Sequence, residues 1–310
     1  MSQSDADSAG LSGSDLDEEQ RFPMGTAPDA VEQPPAPGID ITKPHVARIY
    51  DYFLGGKHNY AADREAAAQL LQVMPTVRTA ARVNRRFLIE AVRWLAQEAG
   101  IRQFLDIGSG LPTQQNVHEV AQAIDPNAKV VYVDNDPLVR VHADALLATT
   151  PNTVVIEADL RDPEGLLNRP ELRERLDFTK PIALLLVSIV HFIEDTAQAL
   201  KVVKTLRDAL PSGSYVVLSH GVHDESIADT LDEAVAIYRR SNTGVTPRTR
   251  DEIARFFEGC TMIGNGLSPM AEWSIHGPLV DHEENRIVSI NELPEMRGFP
   301  LLCGVGRIER

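Results

Sequence analysis

The segment Phe104-Leu105-Asp106-Ile107-Gly108-Ser109-Gly110-Leu111-Pro112-Thr113 limits what this chain can fold into more than any other stretch. Residues 101–107 are short and mostly apolar, which suits a buried strand, and Val117, Val120, Ala121 and Ile124 recur at helical spacing. Between them stands Gly108-Ser109-Gly110, and glycine lets the backbone turn sharply and stand close to a ligand. A strand turning through glycines into a helix N-terminus is expected to present unpaired N–H groups to anything negative. The chemistry is expected over this turn.

Around it the chain alternates. Strands are expected over residues 129–134, 153–159, 181–187 and 214–219, with helices over 137–150 and 196–210. Such units fold as an α/β open sheet, mostly parallel, with right-handed crossovers. The end breaks the pattern. Helices are expected over 224–240 and 249–258, the second opening with a Thr249-x-x-Glu252 capping box. Strands over 261–267 and 301–308 follow without a crossover helix between them, which implies an antiparallel C-terminal edge strand. Ahead of the glycine turn, helices are expected over 42–54, 61–73 and 80–99, the last with Val83, Phe87, Leu88, Ala91, Val92 and Leu95 on one stripe. The expected division is a disordered acidic, Pro-rich tail at 1–40, a helical segment at 41–99, and a ligand-binding domain at 100–310 with a helical insertion near 224–259.

Composition narrows the partners. A net charge of −15 disfavours nucleic acid and anionic lipid. Cys260 and Cys303 are the only cysteines, so no disulfide framework or cysteine-rich metal site is expected. The first residues lack a signal-peptide pattern, and the longest apolar run, near 182–190, is too short to span a bilayer. A soluble, cytoplasmic protein is expected, with no membrane or nucleic-acid partner and an oligomeric state left open.

Three successive strands end in acids, Asp106, Asp134 and Asp159. In open α/β sheets ligands lie beyond the carboxyl ends of strands, so the ligand should be rich in donors. Asp134, with Asn135 beside it, suits a ribose. Asp159 and the Leu160 N–H suit an adenine, and Asp106 suits an ammonium. A nicotinamide dinucleotide would want a third glycine where Thr113 stands. S-adenosylmethionine has no pyrophosphate, and its ammonium, carboxylate, ribose and adenine account for these acids together.

The run Asp106-Ile-Gly-Ser-Gly-Leu-Pro-Thr-Gln-Gln-Asn-Val-His-Glu-Val-Ala121, followed by Val131-Tyr-Val-Asp-Asn-Asp-Pro137, resembles an actinobacterial family of class I S-adenosylmethionine-dependent methyltransferases formerly catalogued as a domain of unknown function. The segment from Pro44-His-Val-Ala-Arg-Ile-Tyr-Asp-Tyr-Phe-Leu to Gly-Gly-Lys-His-Asn-Tyr-Ala-Ala-Asp-Arg64 is similar to that family's hallmark N-terminal motif, with His58 and Tyr60 departing from the more usual Asp and Phe. The resemblance covers about residues 42–310. It implies the cofactor S-adenosyl-L-methionine, held by Asp106, Gly108, Ser109, Gly110, Asp134, Asn135, Asp159 and Leu160, and a Rossmann-like transferase fold. It also implies that helices 41–99 cap the cofactor. Tyr50, Tyr52, Phe53 and Tyr60 are then candidates to face the sulfonium or adenine, and Asn59 and Arg85 to meet the methionine carboxylate.

Methyl transfer asks the protein to align donor and acceptor, exclude water and sometimes remove a proton. His191 and His220, just past two expected strand ends, are the candidate catalytic bases, with Asp195 able to orient His191. His220-x-x-His223 is too sparse for zinc, and no metal is expected. The leading expectation is methyl transfer to an oxygen or nitrogen of a small-molecule acceptor. The alternatives are a non-catalytic S-adenosylmethionine-binding regulator and an NAD(P)-dependent oxidoreductase, the latter disfavoured by Thr113 and by the lack of a Tyr-x-x-x-Lys.

Overall fold

The computed structural model describes residues 40–112, 115–141, 150–241, 244–276 and 299–309. The expected acidic tail, and most of the helix expected after Pro137, lie outside them. Strands β1 (Gln103–Ile107), β2 (Lys129–Asp134), β3 (Thr153–Glu157), β4 (Ala183–Val187), β5 (Tyr215–Gly221), β6 (Cys260–Met262), β7 (Ser268–Pro269) and β8 (Leu301–Ile308) form one sheet in the order β3-β2-β1-β4-β5-β8-β6, with β7 also paired to β8. The first five are parallel. β8 runs antiparallel between β5 and β6. The expected antiparallel strand is thus present, but short β6 lies outside it. The single strand expected over 261–267 is broken because Gly264 and Gly266 take φ of 65° and 78°, outside strand geometry.

Strand alternation sorts the core into two layers. Leu105, Val131, Leu184, Leu186, Val216 and Leu218 face one side of the sheet. There they meet helices α5 (Pro163–Leu167), α6 (Pro170–Arg175) and α7 (Thr196–Asp208). Phe104, Val130, Ala183, Leu185, Val217 and Val305 face the other. That side is covered by α3 (Val77–Gln97) and α4 (Val117–Ile124), the former beginning a turn earlier than its apolar stripe suggests. Asp106 shares its parity with Phe104, and Asp134 with Val130, so both acids reach the carboxyl edge on the α3–α4 side.

A third core joins segments far apart in sequence. Helices α1 (Val46–Leu54), α2 (Ala61–Val73) and α3 bury Ile49, Phe53, Ala67, Leu70 and Ala81 against Ala234 and Ile237 of α8 (Ala228–Arg239). Helix α8, within residues 224–259, therefore shares one apolar core with the N-terminal helices. Its last helix, α9 (Arg250–Ala254), opens with the expected Thr249–Glu252 capping box.

The hallmark N-terminal motif is knitted by two buried aspartates. Asp63 accepts the backbone N–H groups of His45 and Tyr60 at 2.8 and 2.9 Å, and it is fully buried. Asp51 accepts the His58 N–H and the Asn59 amide, both at 2.9 Å. Gly56 is required there because a Cβ would collide with the Asp51 carboxylate. Burial raises the pKa of both acids against the pull of these donors. Asp63→Ala is expected to lower stability by about 2–4 kcal/mol, since two buried N–H groups lose their acceptor. Urea denaturation measures the loss, and hydrogen exchange should show α1 opening before the sheet. An unchanged midpoint would mean that water substitutes for the carboxylate at no cost.

Candidate cofactor and acceptor site

A cavity of ≈ 220 Å³ lies over the carboxyl ends of β1, β2, β4 and β5. The strand order reverses between β1 and β4, the position where open α/β sheets hold ligands. Asp106, Gly108, Ser109, Gly110, Asp134 and Asn135 line one end of it. Helices α1, α3 and α8 close it from above, so one cavity joins the glycine turn to an apolar chamber under the cap.

The glycine turn differs from the expected open cradle of N–H groups. Gly108 and Ser109 both donate to the Val133 carbonyl, at 2.7 and 3.3 Å. Gly110 donates to Asp134 Oδ2 at 2.8 Å. The helix does not begin until Val117, where Asn116 and Glu119 form its capping box, so the N–H groups of the turn itself are not those of its first turn. The glycines are needed for another reason. Gly108 takes φ of 74° and a Cβ on it would run into the Ile189 side chain, while Gly110 takes φ of 66° and faces open space. The close approach at Gly108 lets the β1 and β4 loops pack together, and the space at Gly110 is left for a ligand.

Charge at this end comes from side chains. Asp106 is buried, and among the described residues no hydrogen bond offsets that burial, so its pKa is pushed up to about 7 by desolvation, with Arg85 pulling it down and Asp134 pushing it up. Arg85 donates to the Gln115 carbonyl at 3.0 Å and the Asn116 side chain at 3.3 Å, and its Nε has no partner. The Ser109 hydroxyl is likewise buried without a partner. A carboxylate lacking a cation, a guanidinium with a spare donor and an orphaned hydroxyl fit the amino-acid end of S-adenosylmethionine. Asp134 Oδ1 also accepts the Asp136 N–H at 2.9 Å, and Asp136 Oδ2 stands 3.0 Å from His45 Nδ1 and 3.8 Å from Arg48 Nε of α1. His45 itself lines the cavity, so the cap is tied to the β2 loop beside the ligand space.

The β4 and β5 ends are organised by a buried guanidinium. Arg248, 1% exposed, donates to the Ile193 carbonyl at 2.6 Å, to Thr196 Oγ1 at 3.2 Å and to His220 Nε2 at 2.9 Å. His220 completes the bracket by donating Nδ1–H to the Gly221 carbonyl at 2.7 Å. Burial pushes its pKa down to about 3, and it does not line the cavity. His191 does line it. Its Nδ1 stands 3.5 Å from the Gly221 N–H, which can only donate, so the neutral ring carries its proton on Nε2. Burial, then His220 and Arg248, hold its pKa well below the usual imidazole value.

Other expected residues are placed elsewhere. Tyr52 lies under the Arg78 guanidinium, 5.3 Å from ring centroid to Cζ, outside the cavity lining. Asn59 is held by Asp51 and by the Gly56 carbonyl, also outside the lining. Asp159 makes a bidentate pair with Arg161, and Leu160 packs into the core, so neither lines the cavity. Tyr50, two residues and so about half a helical turn from Tyr52, is the tyrosine of α1 that faces inward. Sequence reasoning missed Asn84, Ser188 and Ser219, which form a buried hydrogen-bonded chain beside the cavity. Asn84 carried one available signal, a polar residue on the apolar stripe of α3. Among the described residues, no group of three His, Cys, Asp or Glu side chains converges as a metal would require.

This parallel sheet with an antiparallel strand inserted next to its last member, and a glycine turn facing an acid at the end of β2, defines a class I S-adenosylmethionine-dependent methyltransferase. The chain belongs to the S-adenosyl methyltransferase family, whose sequence pattern matches residues 32–307. It is similar to a DUF574 family protein of Streptomyces avermitilis MA-4680, at 39% identity and a TM-score of 0.77 over 86% of this chain and 98% of that one. It is also similar to a protein of Thermobifida fusca YX assigned as a methyltransferase, at 41% identity and a TM-score of 0.78 over 89% and 99% of the two chains. No functionally curated protein matches the chain.

The raised pKa of Asp106 predicts a pH dependence. Because the folded value, about 7, lies above the ordinary carboxylate value of 3.8, the stability that this group contributes to the ligand-free protein is full below pH 4 and lost as pH rises through 7. A cofactor ammonium needs the ionised carboxylate, so affinity has the opposite sense. S-adenosylhomocysteine binding should weaken by about tenfold per unit as pH falls below 7 and level off above it. Calorimetry across pH 5.5–8 tests this, and Asp106→Asn should flatten the profile; a wild-type profile that is already flat would remove Asp106 from the ammonium contact.

Proposed function

We propose that this protein transfers the methyl group of S-adenosylmethionine to an oxygen or nitrogen of a small molecule seated in the apolar chamber under the cap. The observation that carries the reading is the division of a single cavity into two ends. Its carboxylates and its guanidinium, Asp106, Asp134 and Arg85, gather at the β1–β2 end, while Phe53, Met74, Leu231, Val235 and Val245 wall the other. One end suits the charged cofactor and the other an apolar acceptor.

Asp106 and Arg85 hold the ammonium and carboxylate, Ser109 contributes its hydroxyl, and Asp134 and Asn135 meet the ribose. Asp134 still has lone pairs to offer, because each of its oxygens accepts one backbone N–H. When bound, S-adenosylmethionine supplies a methyl group on a sulfonium, which an acceptor lone pair displaces to leave a neutral thioether. The chain's own contribution is alignment and dryness: the cap excludes water, and the β4 loop positions the acceptor. His191, with its proton on Nε2, acts as a hydrogen-bond donor that orients the acceptor. This differs from the base role that its sequence position suggested. His220 acts through Arg248, keeping the loop that carries His191 in place.

Three measurements test the assignment. With labelled S-adenosylmethionine, at least one member of a panel of neutral aromatic and aliphatic alcohols and amines should become labelled, and equal labelling of a denatured control would discard the reading. Asp134→Ala should weaken S-adenosylhomocysteine binding by about 1–3 kcal/mol through loss of hydrogen bonds to a charged acceptor. His191→Ala should slow turnover while leaving that affinity near its original value; collapse of affinity with normal turnover at saturation would make His191 a cofactor contact instead.

A further inference from the structure

The β4 side of the cavity carries a hydrogen-bonded chain whose direction is set at both ends. The Ala81 carbonyl can only accept, so the Tyr50 hydroxyl, 3.0 Å away, gives it its proton. Tyr50 then has only lone pairs for Asn84, which donates through Nδ2 at 2.9 Å. That orientation turns Asn84 Oδ1 toward Ser219, whose hydroxyl donates to it at 2.7 Å. From the far end the Ser188 backbone N–H donates to Ser219 Oγ at 2.9 Å. Ser219 has already used its one proton, so in the 3.2 Å contact between the two hydroxyls Ser188 is the donor. Ser188 Oγ is left with lone pairs alone to offer the cavity that it lines.

The backbone supports this placement. Ser188 takes φ of 54°, and among the described residues only Gln115 is another non-glycine residue in that left-handed region. Two bonds from Ser219, to the Ser188 N–H through its carbonyl and its hydroxyl, hold the conformation. His191, on the same loop, offers the complementary Nε2–H. The chamber beyond them is bounded by the rings of Tyr50, Phe53, Phe192, Tyr238 and Phe299, and among the described residues no Lys, Arg, Asp or Glu lines that end.

We propose that the methyl acceptor is an uncharged phenol-type molecule, and that Ser188 Oγ receives the hydrogen bond from its hydroxyl. A phenol oxygen has a proton for Ser188 and two lone pairs, one for His191 and one for the methyl group. As that lone pair bonds the methyl carbon, the carbon–sulfur bond breaks to leave the thioether, and the phenol proton, which Ser188 holds without taking, is released to solvent. An aromatic amine has a single lone pair and cannot serve both. The ring fills the aromatic chamber, where a charged substituent would be desolvated without a counter-ion. The proposal rests on the methyltransferase reading and names the substrate class of the same site.

The test measures binding to the S-adenosylhomocysteine-loaded protein, using 2-naphthol, the similarly sized 2-methylnaphthalene, which lacks the hydroxyl, and the charged 2-naphthyl phosphate. The wild type should prefer 2-naphthol over 2-methylnaphthalene by about tenfold or more, since a site built to pair a hydroxyl rejects the analogue without it. Ser188→Gly removes the hydroxyl while relieving the backbone, and it should reduce the preference to about threefold or less with S-adenosylhomocysteine affinity intact. Ser188→Asn tolerates the left-handed backbone and offers a carbonyl, so it should restore the preference. Equal binding of the two arenes by the wild type, or an unchanged preference in Ser188→Gly, overturns the role of Ser188. Binding of 2-naphthyl phosphate as tight as that of 2-naphthol, or no saturable binding of 2-naphthol, overturns the acceptor class. Failure of the wild type to bind S-adenosylhomocysteine would instead overturn the methyltransferase reading itself.

Discussion

The Asp134 carboxylate is the interaction on which the site depends. One oxygen holds the Gly110 N–H of the turn after β1, and the other holds the Asp136 N–H of the turn after β2. Two loops that would otherwise move independently are thereby fixed to one side chain at the end of a central strand. Asp136 extends the arrangement to α1, since its Oδ1 accepts the Leu138 N–H while its Oδ2 lies 3.8 Å from the Arg48 guanidinium. Because Asp134 is buried, its charge is costly unless paired, and the two backbone donors partly offset the rise in its pKa. The same desolvation acts on Asp106, which lacks such donors among the described residues and stays poised near neutrality. Two acids on the same face of adjacent strands thus have different roles because their hydrogen-bond partners differ.

A second organising feature is the separation of charge within the cavity. Uncharged polar groups, the Tyr50–Asn84–Ser219–Ser188 chain, replace ionic ones on the β4–β5 side. A carboxylate there would need a partner and would bring water with it, whereas hydroxyls and an amide can be satisfied by one another in a dry chamber. Arg248 does the comparable structural work behind the wall. It is buried against backbone carbonyls and a neutral His220, so it braces the loop without presenting charge to the cavity. The helices over this chamber come from distant parts of the chain, with Ala234 and Ile237 of α8 packed on Phe53 and Leu70.

Much of the frame was legible because it depends on local patterns. β2 and β8 fall on the residues that their apolar runs marked, and α2 begins and ends where its helix formers do. Asp106, Asp134 and the two glycines line the cavity, and they could be placed together from sequence because a strand, a turn and an acid are adjacent in it. The nearby errors share one cause. Tyr52 and Asn59 belong to the right segment, but a helix face or a tight turn decides which side chain points inward, and Tyr50 holds the inward place. Asp159 was read by its position after a strand, yet Arg161, two residues on, takes up its carboxylate. The unpaired N–H groups expected at the glycine turn are taken by Val133 and Asp134, partners on another strand.

By itself, the sequence determined the sheet-forming segments, the cofactor class and the acids at the strand ends, because each follows from periodicity or from residues close together along the chain. Only the tertiary structure decided that α8 shares one apolar core with the N-terminal helices, that His220 is an anchor while His191 reaches the cavity, and that Ser188 is left as a hydrogen-bond acceptor. Those outcomes depend on which groups meet across long separations: Asn84 with Ser219, Arg248 with His220, Gly221 with His191. A hydrogen bond has direction as well as place, and its direction is set by the whole chain of partners rather than by any one residue.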